Sequence, residues 1–190
     1  MKNILIFGSG GHAKVAFSEI IKKKNCKILG FVDDFSKKGK LIIKHKNKSY
    51  YNLGKIINVI KYYKNQRINK KKTDSKREEN GVFGIIGIAS NYIRKKVYDE
   101  VVKINKSFSW ESVISNNAII NGNVKFGEGS LIVSGVVINT GSVIGKHCLI
   151  STSSSIDHDN YFHDFSSAGP GVVTGGNVLV GKNSYFGIGS

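Results

Sequence analysis

The chain of 190 residues has few cysteines, almost no proline and no long apolar run. Its two cysteines, Cys26 and Cys148, are too few and too far apart for a disulfide framework or a zinc site. We therefore expect no bound metal and a cytoplasmic location. One proline among 22 glycines excludes collagen-like and polyproline architectures. No apolar run approaches the ~20 residues of a membrane helix, and Met1 leads straight into a strand pattern rather than a signal peptide, so we expect no membrane insertion.

The net charge of +16 suggests a polyanionic partner, but its distribution does not. Lysines are concentrated in two polar stretches, residues 37–48 and 61–77, and lysine far outnumbers arginine. No aromatic residues are interleaved in a pattern for stacking on bases. The composition favours a solvated, lysine-rich surface, and we expect no nucleic-acid partner.

The first hundred residues alternate between strand and helix patterns. The first apolar run ends in Gly8-Ser9-Gly10-Gly11, as a buried parallel strand followed by a tight turn would. The order βαβαβα predicts a small parallel sheet with right-handed crossovers. The predicted strands are residues 3–7, 27–32 and 82–88, and the predicted helices are 13–24, 53–63 and 91–102.

Residues 64–80 are polar, charged and nearly free of large apolar side chains. Such a segment buries too little surface to offset its ordering entropy, so we expect a flexible surface insertion. The insertion belongs to a first domain that we place at residues 1–106.

From Phe108 to Phe162 a large apolar side chain recurs every six residues, and the same register continues to Phe186. This period fits neither an α-helix nor a hairpin meander. It predicts a coil with three short flat faces and one inward residue per face, a parallel β-helix over residues 107–190. The predicted inward residues are Phe108, Ile114, Ile120, Phe126, Ile132, Ile138, Ile144, Ile150, Ile156, Phe162, Ala168, Thr174, Val180 and Phe186.

Four segments together resemble the bacterial sialic-acid O-acetyltransferase and UDP-4-amino-sugar N-acetyltransferase family. They are residues 4–14 (ILIFGSGGHAK), 30–34 (GFVDD), 85–95 (IIGIASNYIRK) and 153–159 (SSSIDHD). The resemblance implies a Rossmann-like domain followed by a left-handed β-helix. It also implies an amino-sugar substrate at the first domain, acetyl-CoA along the β-helix and a homotrimer with active sites between subunits.

The glycine turn between the first strand and helix is the candidate phosphate site. Glycines let a phosphate approach the backbone, and a helix N-terminus supplies free N–H groups. A tight turn without ligand is the alternative. The resemblance implies that this turn holds the diphosphate or sugar of a nucleotide sugar, with Asp33 and Asp34 facing base and ribose, although one of them could cap a turn instead. The expected substrate-binding residues are Gly8, Ser9, Gly10, Gly11, His12, Asp33, Asp34 and Asn91.

His158 is the candidate catalytic residue. It lies between Asp157 and Asp159, two positions after the inward Ile156, where side chains leave the coil. Acetyl transfer from a thioester to an amine or hydroxyl removes a proton from the nucleophile. A histidine near neutral pH performs this step well, and a neighbouring carboxylate fixes its tautomer. We expect His158 as general base, oriented by Asp159.

Two positions depart from the family pattern. His163 stands where relatives more often have glycine, and Ser167 stands where they carry a histidine that contacts acetyl-CoA. The resemblance places the coenzyme near Ser167, Gly169 and Gly187. The sequence stops inside a hexad, so we expect the β-helix to be incomplete at its C-terminal end.

The expected function is acetyl-CoA-dependent N-acetylation of a UDP-linked 4-amino sugar. O-acetylation of a sialic-acid-like sugar uses the same base and remains an alternative. A non-catalytic nucleotide-sugar-binding or scaffold protein is the alternative from another class.

Overall fold

The computed structural model describes residues 1–70 and 81–190, and for residues 66–70 it describes the backbone alone. These residues form two compact units. One comprises Met1–Ile88 with Lys96–Trp110, and the other Ala89–Lys95 with Glu111–Ser190.

The first unit is a parallel sheet with helices. Its elements in chain order are β1 (Lys2–Phe7), α1 (Gly11–Ile20), β2 (Cys26–Val32), β3 (Leu41–His45), β4 (Lys48–Tyr51), α2 (Ile56–Lys70), β5 (Val82–Ile86), α3 (Asn91–Ile104) and β6 (Ser109–Trp110). The sheet has the order β2-β1-β5-β6 and all its pairs are parallel. Residues 4–7 of β1 are fully buried, as expected for a central parallel strand. The predicted α/β fold is confirmed.

Two features of this unit differ from the sequence prediction. The antiparallel hairpin β3–β4 was not predicted. Helix α2 begins at Ile56, three residues later than the predicted helix 53–63. It also ends later, at Lys70, because residues 64–70 continue the helix instead of starting a loop. The remainder of the predicted flexible insertion, residues 71–80, lies outside the described residues.

The second unit is a left-handed parallel β-helix of hexapeptide repeats, as predicted. Thirteen two-residue strands stack into three sheets, with each residue above the one eighteen positions earlier. They are β7 (Val113–Ile114), β8 (Ile119–Ile120), β9 (Lys125–Phe126), β10 (Leu131–Ile132), β11 (Val137–Ile138), β12 (Val143–Ile144), β13 (Leu149–Ile150), β14 (Ser155–Ile156), β15 (Tyr161–Phe162), β16 (Ser167–Ala168), β17 (Val173–Thr174), β18 (Leu179–Val180) and β19 (Tyr185–Phe186).

The six-residue series forms the axis of this coil. Its members from Ile132 to Ala168 are fully buried, whereas Ile114 and Phe186 in the outermost coils are half-buried. Phe108 is the exception, because it packs on Phe7 and Trp110 in the α/β core. The inward register of the coil therefore begins at Ile114.

The corners of the coil repeat with the same period. From Gly129 onward, one residue in six has a positive φ, three positions after the preceding inward residue. Glycine and asparagine accept this left-handed conformation readily, and other residues do so at a cost. Four consecutive corners use other residues: His147, Ser153, Asp159 and Phe165, with φ between 53° and 60°.

Candidate active site

The β1–α1 turn leaves space at the start of α1. Gly8 has φ +98°, and a Cβ there would lie 2.8 Å from Cγ1 of Ile88, so this position requires glycine. Gly10 and Gly11 have nothing within 4 Å of a Cβ position. Gly10 is the N-cap and makes no side-chain capping bond, and α1 has no acidic residue in its first turn. Because Gly10 and Gly11 are also exposed, the N-terminus of α1, where the helix dipole is positive, is open to solvent and suits an anion.

The two aspartates after β2 make internal hydrogen bonds. Asp33 Oδ2 accepts from the Ser9 hydroxyl at 2.7 Å, and Asp33 Oδ1 accepts from the N–H groups of Phe35 and Ser36. Asp34 Oδ1 accepts from the N–H of Ile56 at 2.7 Å, which caps the first turn of α2. Both carboxylates therefore shape the loop after β2, and a direct role toward substrate stays a prediction.

A surface pocket of about 460 Å³ lies beside this loop. The ring of Phe35 is fully exposed at its rim, although an aromatic side chain is usually covered. Lys37, Lys38 and Lys55 also line the pocket. A flat apolar ring next to three cations fits a ligand that has both an aromatic base and phosphates.

Asn91 and Ser167 belong to a buried polar cluster around Arg94. The Arg94 guanidinium donates to the carbonyls of His147, Ala89 and Phe165, to Asn91 Oδ1 at 2.7 Å and to Ser167 Oγ at 2.8 Å. Ser167 in turn donates to Asn91 Oδ1 at 2.6 Å. Burial lowers the pKa of Arg94 to about 10, so the side chain is still charged at neutral pH. The cluster ties the first turn of α3 to two corners of the coil.

This cluster bears on the residues expected to bind ligands. Ser167 is fully buried and its hydroxyl is occupied by Asn91 and Arg94. Gly169 is also buried, whereas Gly187 is exposed with nothing within 4 Å of a Cβ position. Of the three positions expected near acetyl-CoA, only Gly187 is open to solvent. Asn91 is buried as well, and its role toward substrate stays a prediction.

His147 is enclosed in the stack of one corner. A Cβ at Gly129, one coil earlier, would clash with the His147 ring, and on the next coil the Phe165 ring stacks on it with centroids 5.1 Å apart. Burial, with the nearby Arg94 charge as the second cause, lowers the pKa of His147 to about 3. The imidazole is therefore neutral over the physiological range and serves the fold.

His158 leaves the coil at a different corner, with 49% of its side chain exposed. Its Nδ1 lies 2.9 Å from Oδ2 of Asp159. A Cβ at Gly176 would clash with the His158 ring, so the imidazole lies directly over the Gly176 backbone. Hydrogen bonding to Asp159, followed by the charge of Asp157, raises the pKa of His158.

The structure brings His158 and Asp159 together in the geometry that a general base requires. The carboxylate holds the proton on Nδ1 and leaves Nε2 free to accept another. On the next corner the His163 ring lies at 50° to the Tyr161 ring, with centroids 4.5 Å apart. Among the described residues no carboxylate is hydrogen-bonded to it. Cys148 is buried, burial raises the pKa of its thiol, and the thiol donates to the His163 carbonyl at 3.2 Å. A buried thiol of raised pKa is a poor nucleophile.

Residues 1–70 and 81–190 contain no group of three or more His, Cys, Asp or Glu side chains that could hold a metal ion. Within the same ranges no helix is both long and apolar enough to cross a membrane.

Fold and site together define a class of protein, in which an α/β unit with a parallel sheet is combined in one chain with a hexapeptide-repeat β-helix that exposes a histidine at one corner. Residues 3–101 match the family described as the PglD N-terminal domain. The chain therefore belongs to this family, and the family expected from the sequence motifs is confirmed.

Solved structures share the fold of the whole chain. A mutant of perosamine N-acetyltransferase from Caulobacter crescentus, in complex with CoA and GDP-perosamine, has a TM-score of 0.79 at 23% identity over 96% of this chain and 76% of its own. The acetyltransferase domain of PglB from Neisseria gonorrhoeae has a TM-score of 0.71 at 20% identity, covering 98% of this chain and 80% of its own. WeeI from Acinetobacter baumannii has a TM-score of 0.72 at 21% identity, covering 100% of this chain and 79% of its own.

Sequence reasoning missed the Arg94 cluster and the Gly176 backbone beneath His158. Besides its local partners Ala89 and Asn91, Arg94 has partners 53 to 73 residues further along the chain, and no local pattern marks these. The corner residues did carry a signal. Glycine or asparagine recurs every six residues at most corners, and His147, Ser153, Asp159 and Phe165 occupy the same register.

Proposed function

We propose that the protein is a cytoplasmic, acetyl-CoA-dependent sugar acetyltransferase that N-acetylates a nucleotide-linked 4-amino sugar. The observation that carries the proposal is the exposed His158 imidazole, hydrogen-bonded through Nδ1 to Asp159 and supported by the Gly176 backbone. Membership of the PglD N-terminal domain family supports it, as does the fold shared with an N-acetyltransferase bound to CoA and GDP-perosamine.

In this reaction the amine nitrogen attacks the thioester carbonyl carbon of acetyl-CoA directly. The nitrogen–carbon bond forms, the carbon–sulfur bond breaks, and the amine proton passes to Nε2 of His158. The departing CoA thiolate then takes up a proton. Asp159 stabilises the imidazolium that forms in between, since its carboxylate already accepts a hydrogen bond from Nδ1.

The acceptor's nucleotide binds to the α/β unit in this proposal. Its base stacks on the exposed Phe35 ring and its phosphates pair with Lys37, Lys38 or Lys55 in the pocket. The open turn at Gly10–Gly11 supplies N–H groups to a phosphate or to the sugar. Asp33 and Asp34 contribute by holding the loop, and one of their free lone pairs can still accept from a ribose hydroxyl.

On the donor side, acetyl-CoA lies along the outside of the C-terminal coils. Because the Ser167 hydroxyl is occupied by Asn91 and Arg94, the thioester is bound without that hydroxyl. Gly187 and its neighbours expose backbone that a pantetheine chain can approach.

We propose a homotrimer assembled through the β-helix. The outward residues of the β8–β11–β14–β17 and β9–β12–β15–β18 sheets include four exposed apolar side chains, Ile119, Val173, Tyr161 and Leu179. His158 lies at the corner where β14 leads into β15, between these two faces. Covering such faces with neighbouring copies buries apolar surface and encloses the corner. The double variant Val173→Asp, Leu179→Asp should sediment as a monomer, whereas Ile57→Asp, exposed on α2, should keep the trimer mass.

The decisive experiment is a thiol-release assay with acetyl-CoA and a panel of acceptors. The panel contains UDP- and GDP-linked 4-amino sugars and a free sialic acid. We expect CoA release with a 4-amino sugar and an N-acetyl product by mass spectrometry. If CoA is released only with sialic acid, the N-acetylation proposal is wrong and the protein is an O-acetyltransferase. If a nucleotide sugar binds but no CoA is released with any acceptor, the protein is a nucleotide-sugar-binding protein without this activity.

The acceptor site has its own test. Phe35→Ala should raise the acceptor KM about tenfold through loss of base stacking and leave the KM of acetyl-CoA within about twofold. The control is Tyr62→Ala, which removes another exposed aromatic side chain, on α2 and away from the residues that line the pocket. An equal rise in both KM values for Phe35→Ala would contradict a separate nucleotide pocket.

A further inference from the structure

Three side chains form a hydrogen-bonded column on the outside of the β-helix. Asn121, Asn139 and Asp157 are eighteen residues apart, each directly after an inward isoleucine, and lie on successive coils. Asn121 Nδ2 donates to Asn139 Oδ1 at 2.9 Å, and Asn139 Nδ2 donates to Asp157 Oδ1 at 3.0 Å. The next position on this column is Gly175, so the series of side chains ends at the carboxylate.

The end of the column is also the start of the candidate catalytic corner. Asp157 Oδ1 accepts a second hydrogen bond, at 2.8 Å, from the backbone N–H of His158. One oxygen thus joins the column to the residue that carries the imidazole. The hydrogen bonds of Asp157 to Asn139 and to His158 lower the pKa of this carboxyl, in that order, which keeps it ionised.

The direction of the column matters for its strength. Both amide groups donate toward Asp157, so their dipoles are aligned and each hydrogen bond polarises the next. A charged acceptor strengthens the last of them. A column that only held the coils together would not need to end on a charge.

Two carboxylates therefore flank one imidazole in different ways. Asp159 bonds to the ring itself and sets its tautomer. Asp157 bonds to the backbone of His158, and its negative charge lies near the ring without a hydrogen bond to it. The aligned positions on the neighbouring coils, Thr140 and Gly176, carry no charge, so Asp157 and Asp159 are the charged groups that act on His158.

We propose that the Asn121–Asn139–Asp157 column makes Asp157 a positioning residue for His158, by fixing an ionised carboxylate where it stabilises the imidazolium. The proposal rests on the proposed function, in which His158 takes up the acceptor's proton. Asn139 is the residue through which the column acts, and Asn121 is its distant end.

Two variants separate charge from geometry. Asp157→Asn keeps the size and can still accept both hydrogen bonds, but it removes the charge. Asn139→Leu keeps nearly the same volume and removes the donor. Asn121→Leu is the matched control, because it breaks a bond of the same kind one coil further from His158 and leaves Asn139–Asp157 intact.

The first measurement is an NMR titration of the His158 imidazole in the full chain, assigned by the loss of its signal in His158→Gln. We expect the pKa of His158 to fall in Asp157→Asn and, by less, in Asn139→Leu, and to stay unchanged in Asn121→Leu. The second is the pH profile of kcat. Asp157→Asn should lower the plateau about tenfold and move the rise to lower pH, with both KM values within about twofold.

The outcomes are distinct. If all three variants lose thermal stability but the pKa of His158 and kcat stay as in the wild type, the column is structural and the proposal is wrong. If the wild type transfers no acetyl group while the pKa of His158 still falls in Asp157→Asn, the proposed function fails and the positioning of His158 by Asp157 stands. Because Asp157→Asn is isosteric, failure of Asn139→Leu to fold leaves the test decisive.

Discussion

Two corners of the same β-helix shift the pKa of a histidine in opposite directions. His147 lies on the backbone of Gly129 beneath the Phe165 ring, and burial lowers its pKa to about 3. His158 lies on the backbone of Gly176 with half of its side chain exposed, and Asp159 raises its pKa. In both cases a glycine one coil away provides the surface for the ring. The two histidines differ in their neighbours. An aromatic ring and an arginine lie beside His147, whereas two carboxylates lie beside His158. These neighbours decide whether the imidazole can take up a proton.

The largest loss of activity should follow removal of the histidine at the exposed corner. His158→Ala should lower kcat about 10²–10⁴-fold, because a positioned base is lost, with smaller changes in either KM. Steady-state kinetics with acetyl-CoA and the active acceptor measure it. His163→Ala, one corner further on, should keep near-normal turnover. The reverse pattern would move the base to His163.

At the enclosed corner the largest effect should come from Arg94. Arg94→Leu leaves the carbonyls of His147 and Phe165 and the Ser167 hydroxyl without this donor. Each buried acceptor left unsatisfied costs roughly 1–3 kcal/mol, so the free energy of unfolding should fall by about 3–5 kcal/mol. Urea denaturation measures it, with exposed Lys95→Leu on the same helix as the control. Equal losses in the two variants would show that the cluster contributes little.

The low pKa of His147 should make this corner sensitive to acid. Between its ordinary value of 6.5 and about 3, the unfolded chain binds a proton that the folded chain does not. Stability is therefore complete above pH 6.5 and falls as the pH decreases, with a slope that approaches about 1.4 kcal/mol per pH unit.

His147→Asn tests this slope, since asparagine tolerates a positive φ and does not titrate. At pH 8 the variant should be less stable because it loses the stacking on Phe165. Between pH 6 and 4 its free energy of unfolding should fall less steeply than that of the wild type. Parallel curves would mean that His147 is protonated in the folded state.

The finest comparison uses two corner glycines of the same conformation. Gly135 and Gly141 have φ of +78° and +77°, so alanine at either costs about 1 kcal/mol of backbone strain. A Cβ at Gly141 would clash with the Asp159 carboxylate, whereas at Gly135 it would lie 3.2 Å from Ser153 Oγ. Both variants should lose similar stability, but only Gly141→Ala should lower kcat, by about fivefold through displacement of Asp159. Equal kcat values would show that the position of Asp159 does not matter.

The sequence reveals the parts of the molecule that repeat or are local. The inward series from Ile132 to Phe162 could be predicted because one strong period persists over the whole coil and only one side of a short strand can face the axis. His158 and Asp159 could be paired because they are adjacent. Their role in catalysis stays a prediction, as do the roles of the glycine turn and of Asp33 and Asp34.

Other features could not be read from the chain. The hairpin β3–β4 lies in a lysine-rich stretch whose charges obscure the alternation of its strands. The contact of Arg94 with Ser167 joins residues 73 positions apart, and a buried arginine among carbonyls has no sequence signature. Periodicity predicts which residues face inward, but not which distant side chain covers the outside.

The residues of α3 are divided between the two units, and this division determines where the chain can be cut or joined to another protein. A boundary at residue 106 follows the change of sequence period, but Asn91 and Arg94 group with the β-helix and make hydrogen bonds to it. A β-helix excised at that boundary, or grafted behind another α/β module, would lose these donors and expose the Ser167 hydroxyl and carbonyl groups at the corners of His147, Phe165 and Asn183. A module that is to fold on its own, or be exchanged between relatives, needs to carry residues 89–95 with it.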